Sequence, residues 1–478
     1  MNRLVVISNR VASSNKPASG GLAIAMEELL QRRGGIWFGW SGDIVDSETP
    51  TSDRIHINQD NLIIRITIDL TQQQHDSYYR GFSNDVLWPV FHNRVDLAKF
   101  DNFSFEGYQF VNKMFALAIQ KFLRKDDIVW IHDYHLIPLA SELRELNCHQ
   151  RIGFFLHTPL PPPIILETIP QHRALMDALA AYNLIGFQTI QDVDHFRSYL
   201  EKRKTTYFSN KASNECYSIE LNYKDFPIGI DTENFIEFSS QNAATDACQE
   251  IKQEYSQRRL IIGVDRLDYS KGLIHRVQAL KELFRIYPEN RKSATLIQVG
   301  SPTRETNLAY INVREEFESL CGAINGDFGE LDWVPIRYLH QTLSREKLAG
   351  FYRAASVGMV TPLRDGMNLV AKEYVAAQNK EDPGVLILSQ FAGAAEQMKE
   401  ALLINPYDIK STANAIQLAL KMSKRERIER HQSLLQVIVE KNVHWWSSEF
   451  LNALISGKQL VSNRENLIKS LSAEADIT

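Results

Sequence analysis

The chain has 478 residues, of which 44% are hydrophobic and 23% charged, a profile typical of a globular protein with two domains of ordinary size. Its net charge of −5 argues against a nucleic-acid binder, and no apolar run reaches the length of a membrane span. Any anionic substrate must therefore be held by cations gathered in one cleft. The four cysteines are scattered without a Cys-x-x-Cys pair, which favours a cytoplasmic location and no structural zinc.

The first stretch of the chain predicts a buried strand followed by a glycine turn and a helix. Leu4–Ser8 is a short apolar run that ends just before Arg10 and is too short for a signal peptide. A polar loop then leads to Gly20 and Gly21, after which Leu22–Arg33 has helical apolar spacing. Such a unit can cradle a phosphate, although paired glycines also serve plain tight turns.

Further strands alternate with helices in the first half, which predicts a parallel sheet. They are expected at Ile128–His135, Arg151–His157 and Ile185–Thr189. In such a sheet, polar side chains collect at the carboxyl ends of the strands. Arg10, Asp133 and His157 occupy such ends, and this agreement favours a site there. Tyr79 and Trp88 suit either a core or a sugar site.

The polar end of the strand at Ile128–His135 leaves a metal site open as an alternative. Alternation along a strand would place Asp133 and His135 on one side, opposite His132. No third ligand of the zincin type follows nearby, which argues against the metal.

The second half begins after a predicted hinge at Phe226–Ile230, followed by polar sequence with little periodicity to about Tyr255. A new strand, Leu260–Val264, is followed by a loop that carries Arg266 and Lys271. Two cations after a strand can neutralise a pyrophosphate leaving group, whereas the alternative is a pair of solvated surface cations.

The stretch Thr361–Glu373 predicts a strand-to-helix turn, with a buried strand before it and a helix after it. The N–H groups of Met367–Val370 would point out of the helix N-terminus, which suits a phosphate. Glu373 could accept hydrogen bonds from a ribose diol and Asp365 from a sugar hydroxyl. The alternative is a capped helix with two solvated carboxylates.

Together these motifs resemble the trehalose-6-phosphate synthases, a family of retaining glycosyltransferases (family 20). The resemblance runs from about Arg3 to Phe450 and is carried by the following stretches: Ser8-Asn9-Arg10, Gly20-Gly21-Leu22, Trp37–Gly42, Leu87-Trp88-Pro89, Trp130–Leu136, Arg266–Gly272 and Thr361–Glu373. It implies an α/β fold of two Rossmann-like domains facing across a cleft (GT-B). The expected boundaries are 1–230 for the acceptor domain, 231–440 for the nucleotide-sugar domain, and 441–478 for a helix that crosses back plus a tail.

The resemblance also implies transfer of glucose from UDP-glucose to glucose 6-phosphate, giving α,α-trehalose 6-phosphate and UDP. Neither a cofactor nor a metal is implied, and no nucleic-acid or membrane partner. A homo-oligomer is left open, as is the base of the donor nucleotide. Alternatives are a sibling enzyme that uses glycerol 3-phosphate, a pseudo-glycosyltransferase that makes a carbon–nitrogen link, a nucleotide-sugar epimerase and a non-catalytic sensor of sugar phosphates.

Carried over by position, the acceptor residues are those around its phosphate, Arg10, Tyr79, Trp88 and Arg304, and one on its sugar, Asp133. The donor residues fall into groups along the molecule. Gly20 and Gly21 correspond to the glycine turn beside the pyrophosphate, and Arg266 and Lys271 to its cationic clamp. The transferred glucose and the diphosphate are assigned to His157, Asp365 and the backbone of Met367, Asn368, Leu369 and Val370. Leu343 is assigned to the base and Glu373 to the ribose.

Overall fold

Two mainly parallel β-sheets organise the molecule in the computed structural model, which describes residues 2–12, 21–207, 221–304 and 307–457. The first sheet has the order β3-β4-β2-β1-β5-β6-β7-β8 and the second β11-β10-β9-β12-β13-β14. The strands of the first sheet are Leu4–Arg10 (β1), Gly35–Val45 (β2), Ile55–Asp60 (β3), Ile63–Thr71 (β4), Ile128–His132 (β5), Arg151–Phe155 (β6), Leu184–Phe187 (β7) and Tyr223–Asp225 (β8). Those of the second are Arg259–Arg266 (β9), Ala294–Ser301 (β10), Ile336–Leu339 (β11), Val357–Val360 (β12), Val385–Ser389 (β13) and Leu402–Ile404 (β14).

Helices connect the strands and cover the sheets. The longer ones are Gly21–Arg33, Asn102–Gln120, Leu139–Glu145, His172–Ala178, Ile190–Tyr207, Thr232–Ser239, Asn242–Glu254, Leu273–Ile286, Leu308–Phe328, Arg345–Ala354, Leu369–Ala377, Ile409–Lys421, Lys424–Glu440 and Val443–Ser456. Because the sheets are covered on both faces, the central strands are continuous apolar runs, as in Leu4–Ile7, which is wholly buried. The predicted α/β class with two Rossmann-like domains is confirmed.

One edge of the first sheet departs from the parallel pattern, because β3 pairs with β4 in antiparallel fashion. The helical run that follows β4 is also unusual, since His75–Leu87 forms wide π-helical turns. Its last turn leads into Trp88, whose N–H donates to the Ser83 carbonyl. π-Helical turns are rare and occur often at functional sites. Both Tyr79 and Trp88 are presented by this run.

The chain passes between the two sheets twice, at Phe226–Ile230 and near Lys441, and these two segments lie side by side. Phe226, Ile228 and Ile230 are buried, and a Cβ at Gly229 would lie 2.3 Å from the Lys441 carbonyl oxygen. The helix Val443–Ser456 then packs on the first sheet. The rings of its Trp446 and Phe450 lie 4.8 and 4.5 Å from that of Trp130. The proposed domain boundaries and the hinge at Phe226–Ile230 remain predictions.

The stretch up to Tyr255, whose sequence is polar with little periodicity, is helical. Two helices, Thr232–Ser239 and Asn242–Glu254, occupy that stretch. The second buries Ala244, Ala247, Cys248 and Ile251, which have helical spacing but mostly small side chains. Small side chains let this helix approach the helix Arg345–Ala354 closely.

Within the described ranges, no helix has the length and apolar character that crossing a bilayer requires.

Candidate active site

A buried ion pair joins two loops of the second domain at the carboxyl ends of neighbouring strands β9 and β12. Lys271 ends a short 3₁₀ turn after β9, and Asp365 lies in the turn before the helix Leu369–Ala377. The Lys271 Nζ donates to Asp365 Oδ2 at 2.6 Å, and Asn368 Nδ2 donates to the same oxygen at 3.0 Å. Burial alone would raise the pKa of Asp365, but Lys271 lowers it below its ordinary value. The ammonium keeps two further N–H donors that can reach a phosphate.

Across the cleft, the face of Trp88 in the first domain receives two guanidinium groups from the second. The Cζ of Arg304 lies 4.4 Å from the ring centroid and that of Arg266 lies 5.5 Å away. Each such contact is worth about 0.5–2 kcal/mol, more when desolvated. The second domain therefore supplies both cations, and the first domain supplies the ring that they share.

Arg304 is also held by two tyrosines, one from each domain. Its Nη2 lies 3.4 Å from the Tyr134 hydroxyl, and its Nη1 contacts the Tyr310 hydroxyl. The φ of Arg304 is 46°, in the left-handed region. The side chain reaches the first domain through its contacts with Tyr134 and Trp88.

Asp268 balances these cations, although sequence reasoning assigned it no role. It accepts from the Ser270 N–H at 2.9 Å and from the Tyr310 hydroxyl at 3.2 Å. Burial opposes ionisation, but Arg304, Arg266 and Lys271 outweigh it and lower the pKa of Asp268 to about 2. Its position inside the Arg266–Gly272 motif was the available signal. Asp268 and Asp365 are both ionised and oppose the three cations, and Arg266 also acts on the charge of Asp133.

Asp133 occupies a strained backbone position directly after β5. The strand ends at His132, and Asp133 has φ 75° and ψ 164°, values that are almost confined to glycine. The predicted strand to His135 is therefore too long, and the alternation expected there does not apply. The His157 N–H donates to Asp133 Oδ1 at 3.2 Å. Burial raises the pKa of Asp133 to about 6 while backbone N–H groups limit the rise, so the carboxylate is mainly ionised at pH 7.

His157 is a neutral imidazole whose two ring nitrogens both face protein groups. Its Nε2 lies 3.1 Å from His132 Nδ1 and its Nδ1 lies 3.4 Å from Gln188 Nε2. Burial lowers the pKa of His157 to about 3, so at pH 7 the ring is neutral and no imidazolium is present to act as a general acid. Its carbonyl meets the opposite domain, since a Cβ at Gly366 would lie 2.0 Å from that oxygen. The assigned role near the donor glucose stays a prediction.

The metal alternative at the end of β5 gains no support. Among the described residues, no group of three or more His, Cys, Asp or Glu is arranged to hold a metal ion. His132 faces His157, and His135 stacks on Tyr79 at 5.9 Å with an interplanar angle of 11°.

The Arg10 side chain lies apart from the Lys271–Asp365 pair, at the exposed end of β1. Its guanidinium is 5.7 Å from the Trp40 ring and covers Gly42, whose φ is +99°. A Cβ at Gly42 would lie 2.3 Å from the Arg10 Nη2, so Arg10 would have to shift, and the positive φ favours glycine at this position. A row of rings runs from Arg10 toward Arg304, in the order Trp40, Tyr79, His135 and Tyr134. The four residues assigned to the acceptor phosphate thus lie along one wall, which this row of rings forms. Arg10 and Arg304 lie at opposite ends of the row and make no direct contact with each other.

The Glu373 carboxylate lies at the other end of the cleft, on the helix Leu369–Ala377. It is partly buried, the Tyr352 hydroxyl lies 3.5 Å from its Oε2, and Arg345 is near enough to act on its charge. Burial raises the pKa of Glu373 to about 7, and Arg345 and Tyr352 only reduce the rise. Glu28 of the first domain lies 4.0 Å from Arg345, and burial followed by Asp231 also raises its pKa to about 7. Two carboxyls thus share one arginine between the domains.

The remaining donor positions lie around the same helix start. Asn368 caps it with φ 77° and accepts from the Ala371 N–H at 3.3 Å, so a helix begins at this turn. That the N–H groups of Met367–Val370 face a phosphate stays a prediction. Met367 is buried, whereas Leu369, Val370 and Leu343 are partly buried against the core. Gly21 begins the helix Gly21–Arg33, and Gly20 lies outside the described residues.

The chain was compared with known proteins. The family model of glycosyltransferase family 20 matches residues 3–456. A trehalose-6-phosphate synthase of Enterobacter sp. (strain 638) is 43% identical, with 95% of each chain covered.

Solved structures agree with this over nearly the whole chain. A Burkholderia xenovorans UDP-forming α,α-trehalose-phosphate synthase in complex with glucose 6-phosphate superposes with a TM-score of 0.90 at 42% identity, covering 95% of this chain and 100% of that one. An Escherichia coli trehalose-6-phosphate structure bound with UDP-2-fluoro glucose gives 0.88 at 40% identity, covering 95% and 99%. The chain belongs to glycosyltransferase family 20.

Proposed function

We propose that the protein is a UDP-forming α,α-trehalose-phosphate synthase, which transfers glucose from UDP-glucose to glucose 6-phosphate with retention of configuration. The observation that carries this is the cationic surface on Trp88. Arg304 and Arg266 reach it from the second domain, next to the Lys271–Asp365 pair. A transferase that brings two anionic substrates together needs such a surface, because the chain as a whole is negative.

Leaving-group stabilisation falls to Arg266 and Lys271. Negative charge grows on the departing UDP phosphate, and a fixed ammonium and guanidinium in a buried site lower the barrier without reorganising. Lys271 is only 9% exposed and is held by Asp365, so its direction is set before the substrate arrives. Asp365 in turn is an ionised acceptor for a glucose hydroxyl, which fixes the sugar relative to the clamp.

The family resemblance implies retention of configuration, and the charges of the groups considered next agree with it. His157 is neutral with both nitrogens facing protein groups, and the nearby ionised carboxylates Asp268 and Asp365 are tied to cations. None of these is set up as a nucleophile for a double displacement. As the family resemblance implies, we assign to the departing phosphate the role of accepting the proton of the incoming hydroxyl on the same face, which retains the configuration.

Acceptor recognition is assigned to the wall that runs from Arg10 to Arg304. Arg10, Arg304 and the Tyr79 hydroxyl bind the phosphate, while Asp133, ionised at pH 7, accepts from a sugar hydroxyl. The Glu373 carboxylate holds the ribose of the donor and the Leu343 loop borders its base. We place the reaction in the cytoplasm, where the buried free thiols Cys148, Cys248 and Cys321 stay reduced. The oligomeric state is left open.

The test is UDP release from UDP-glucose, with glucose 6-phosphate, with glycerol 3-phosphate and without an acceptor. We expect release only with glucose 6-phosphate, together with a non-reducing disaccharide phosphate whose two anomeric protons have α couplings by NMR. Release with glycerol 3-phosphate instead, or UDP-glucose hydrolysis that no acceptor stimulates, would contradict the proposal.

A further inference from the structure

The turn that carries Asp365 is tied to the first domain through its chain neighbour Arg364. The Arg364 Nη1 donates to the Gln191 side-chain oxygen at 2.9 Å, and its Nη2 lies 3.7 Å from Asp192 Oδ1. Gln191 and Asp192 belong to the first turn of the helix Ile190–Tyr207. The side chain of Arg364 is 13% exposed and that of Asp192 is 1% exposed, so salt screens their contact little. The reaction described above assigns no role to these side chains.

Asp192 also holds the loop of the first domain that follows strand β6. Its Oδ1 accepts from the Leu160 N–H at 2.9 Å, and Leu160 lies three residues after His157. Its Oδ2 accepts from the Thr189 hydroxyl at 2.6 Å, and that hydroxyl oxygen accepts from the Asp192 N–H at 3.1 Å. The reciprocal bonds fix the carboxylate at the start of the helix. One buried carboxylate thus contacts both the His157 loop and Arg364.

The His157 loop and the Asp365 turn approach each other closely. A Cβ at Gly366 would lie 2.0 Å from the His157 carbonyl oxygen, so the approach requires a glycine there. Within the second domain, the Asp365 N–H donates to the Phe391 carbonyl at 3.2 Å, and the Gly393 N–H donates to the Asp365 carbonyl at 3.1 Å. The second domain therefore fixes this turn internally. Contacts with the first domain are what set its distance from the His157 loop.

We propose that Arg364 and Asp192 are a positioning pair for the donor sugar, which hold the His157 loop against the Asp365 turn so that the transferred glucose is bound between the two. The proposal rests on the function proposed above, in which Asp365 accepts from a glucose hydroxyl and His157 is assigned to the same sugar. Arg364 acts through its neighbour and does not itself contact the substrate.

The pair acts on the glucose and not on the nucleotide. The charged and ribose contacts of UDP are assigned to Arg266, Lys271 and Glu373, all of which the second domain carries. The glucose, in contrast, lies between residues of both domains and depends on the spacing of the two loops. A shift of about 1 Å in a positioned group can lower a rate by about 10²-fold. Loss of the pair should therefore slow glucose transfer and leave UDP affinity nearly unchanged.

The experiment measures kcat/KM for UDP-glucose from UDP release, and the Kd of UDP by calorimetric titration, in the same variants. Arg364→Ala should lower kcat/KM by about tenfold or more while the Kd of UDP stays within about twofold of the parent's. Arg364→Lys keeps the positive charge beside Asp192 and should recover part of the loss. Arg353→Ala is the matched control, because Arg353 donates to the Ser239 carbonyl of its own domain at 2.9 Å, and it should change neither quantity.

A double variant tests whether the two residues act together. Asp192→Asn keeps an oxygen for the Leu160 N–H and removes the charge that faces Arg364. Combined with Arg364→Ala, it should lower kcat/KM little further than Arg364→Ala does alone, since both changes remove one contact. Losses that multiply in the double variant would overturn the proposal. If urea unfolding shows that Asp192→Asn is unfolded, Arg364→Ala alone decides.

Two results for Arg364→Ala would overturn the proposal while the proposed function stands. One is a kcat/KM like that of the parent, and the other is a loss of UDP affinity as large as the loss of kcat/KM, which would mean that the contact supports the whole cleft. A parent protein that releases no UDP in the presence of glucose 6-phosphate would instead contradict the proposed function, and the positioning role would fail with it.

Discussion

Replacing Glu373 with glutamine should make the protein more stable and its UDP binding weaker at the same time. Glu373 has an ordinary pKa of 4.5 that the fold raises to about 7, first through burial. The folded protein thus holds this proton more tightly than the unfolded chain does. Stability from this group is complete below pH 4.5 and is lost as the pH rises to about 7. At pH 8 the ionised carboxylate costs the fold roughly 3 kcal/mol, taking about 1.4 kcal/mol per pKa unit.

The Glu373→Gln variant removes this cost, because a neutral amide needs no counter-charge. At pH 8, urea unfolding should show a gain of up to roughly 3 kcal/mol, which shrinks to about 1 kcal/mol at pH 5, where the folded parent is protonated. Glu28→Gln is the matched control, since burial raises the Glu28 pKa equally and the residue faces the same Arg345. It should give a comparable gain in stability.

UDP binding separates the two variants. A carboxylate that accepts from a ribose diol contributes roughly 1.5–3 kcal/mol, so Glu373→Gln should weaken UDP binding by about 10- to 100-fold at pH 8. The parent should lose this advantage below pH 7, by about tenfold per pH unit. Calorimetric titration with UDP at several pH values tests this, with Glu28→Gln expected to bind UDP like the parent. A Glu373→Gln variant that is less stable at pH 8, or that binds UDP as tightly as the parent, would refute the reasoning.

Three further predictions concern the reaction itself. Lys271→Ala should lower kcat for UDP release by about 10²–10³, because the ammonium acts on charge that grows in the transition state. Lys281→Ala, which changes an exposed lysine of the same domain, should leave kcat unchanged. An unchanged kcat in Lys271→Ala would exclude Lys271 from this role. The protein should prefer glucose 6-phosphate over glucose by about 10³, and Arg304→Ala should erase most of this preference while UDP binding stays nearly constant. Arg314→Ala is the surface control. An undiminished preference in Arg304→Ala would place the acceptor phosphate pocket elsewhere. Excess EDTA should leave kcat unchanged, since Arg266 and Lys271 supply the charge, and a loss that magnesium restores would contradict this.

The sequence predicted the elements that carry the cleft, because each has a strong local signal. Leu4–Arg10 and Arg259–Arg266 each contain an apolar run and end in a cation, and both lie within about two residues of their predicted positions. The turn before Leu369–Ala377 was likewise predicted from its proline, glycine and asparagine, and the structure has Asn368 as the helix cap. Breaker and cap residues act within a few positions along the chain, so one sequence suffices to find them.

Features that depend on packing were missed. The helix Asn242–Glu254 is held by small residues against Gly350, where a Cβ would lie 2.5 Å from the Ala244 carbonyl oxygen. A pattern of alanines gives little apolar signal, although close approach of two helices needs exactly such small side chains. The π-helical turns of His75–Leu87 and the positive φ of Asp133 are also set by tertiary contacts and not by local propensity.

The arrangement around Trp88 shows why motif matching identifies site residues without locating them. Trp88 was assigned to the acceptor phosphate together with Arg304, and Arg266 to the donor diphosphate, yet both guanidinium groups share its ring. Asp268 lies in the motif but was given no role, and its negative charge offsets the mutual repulsion of these cations. Since Trp88 belongs to one domain and Arg266, Arg304 and Asp268 belong to the other, the two guanidinium groups share the ring only while the domains are in contact. Separation of the domains would leave Arg266 and Arg304 facing each other without the ring, so closure and the binding of two anions are coupled through this one side chain.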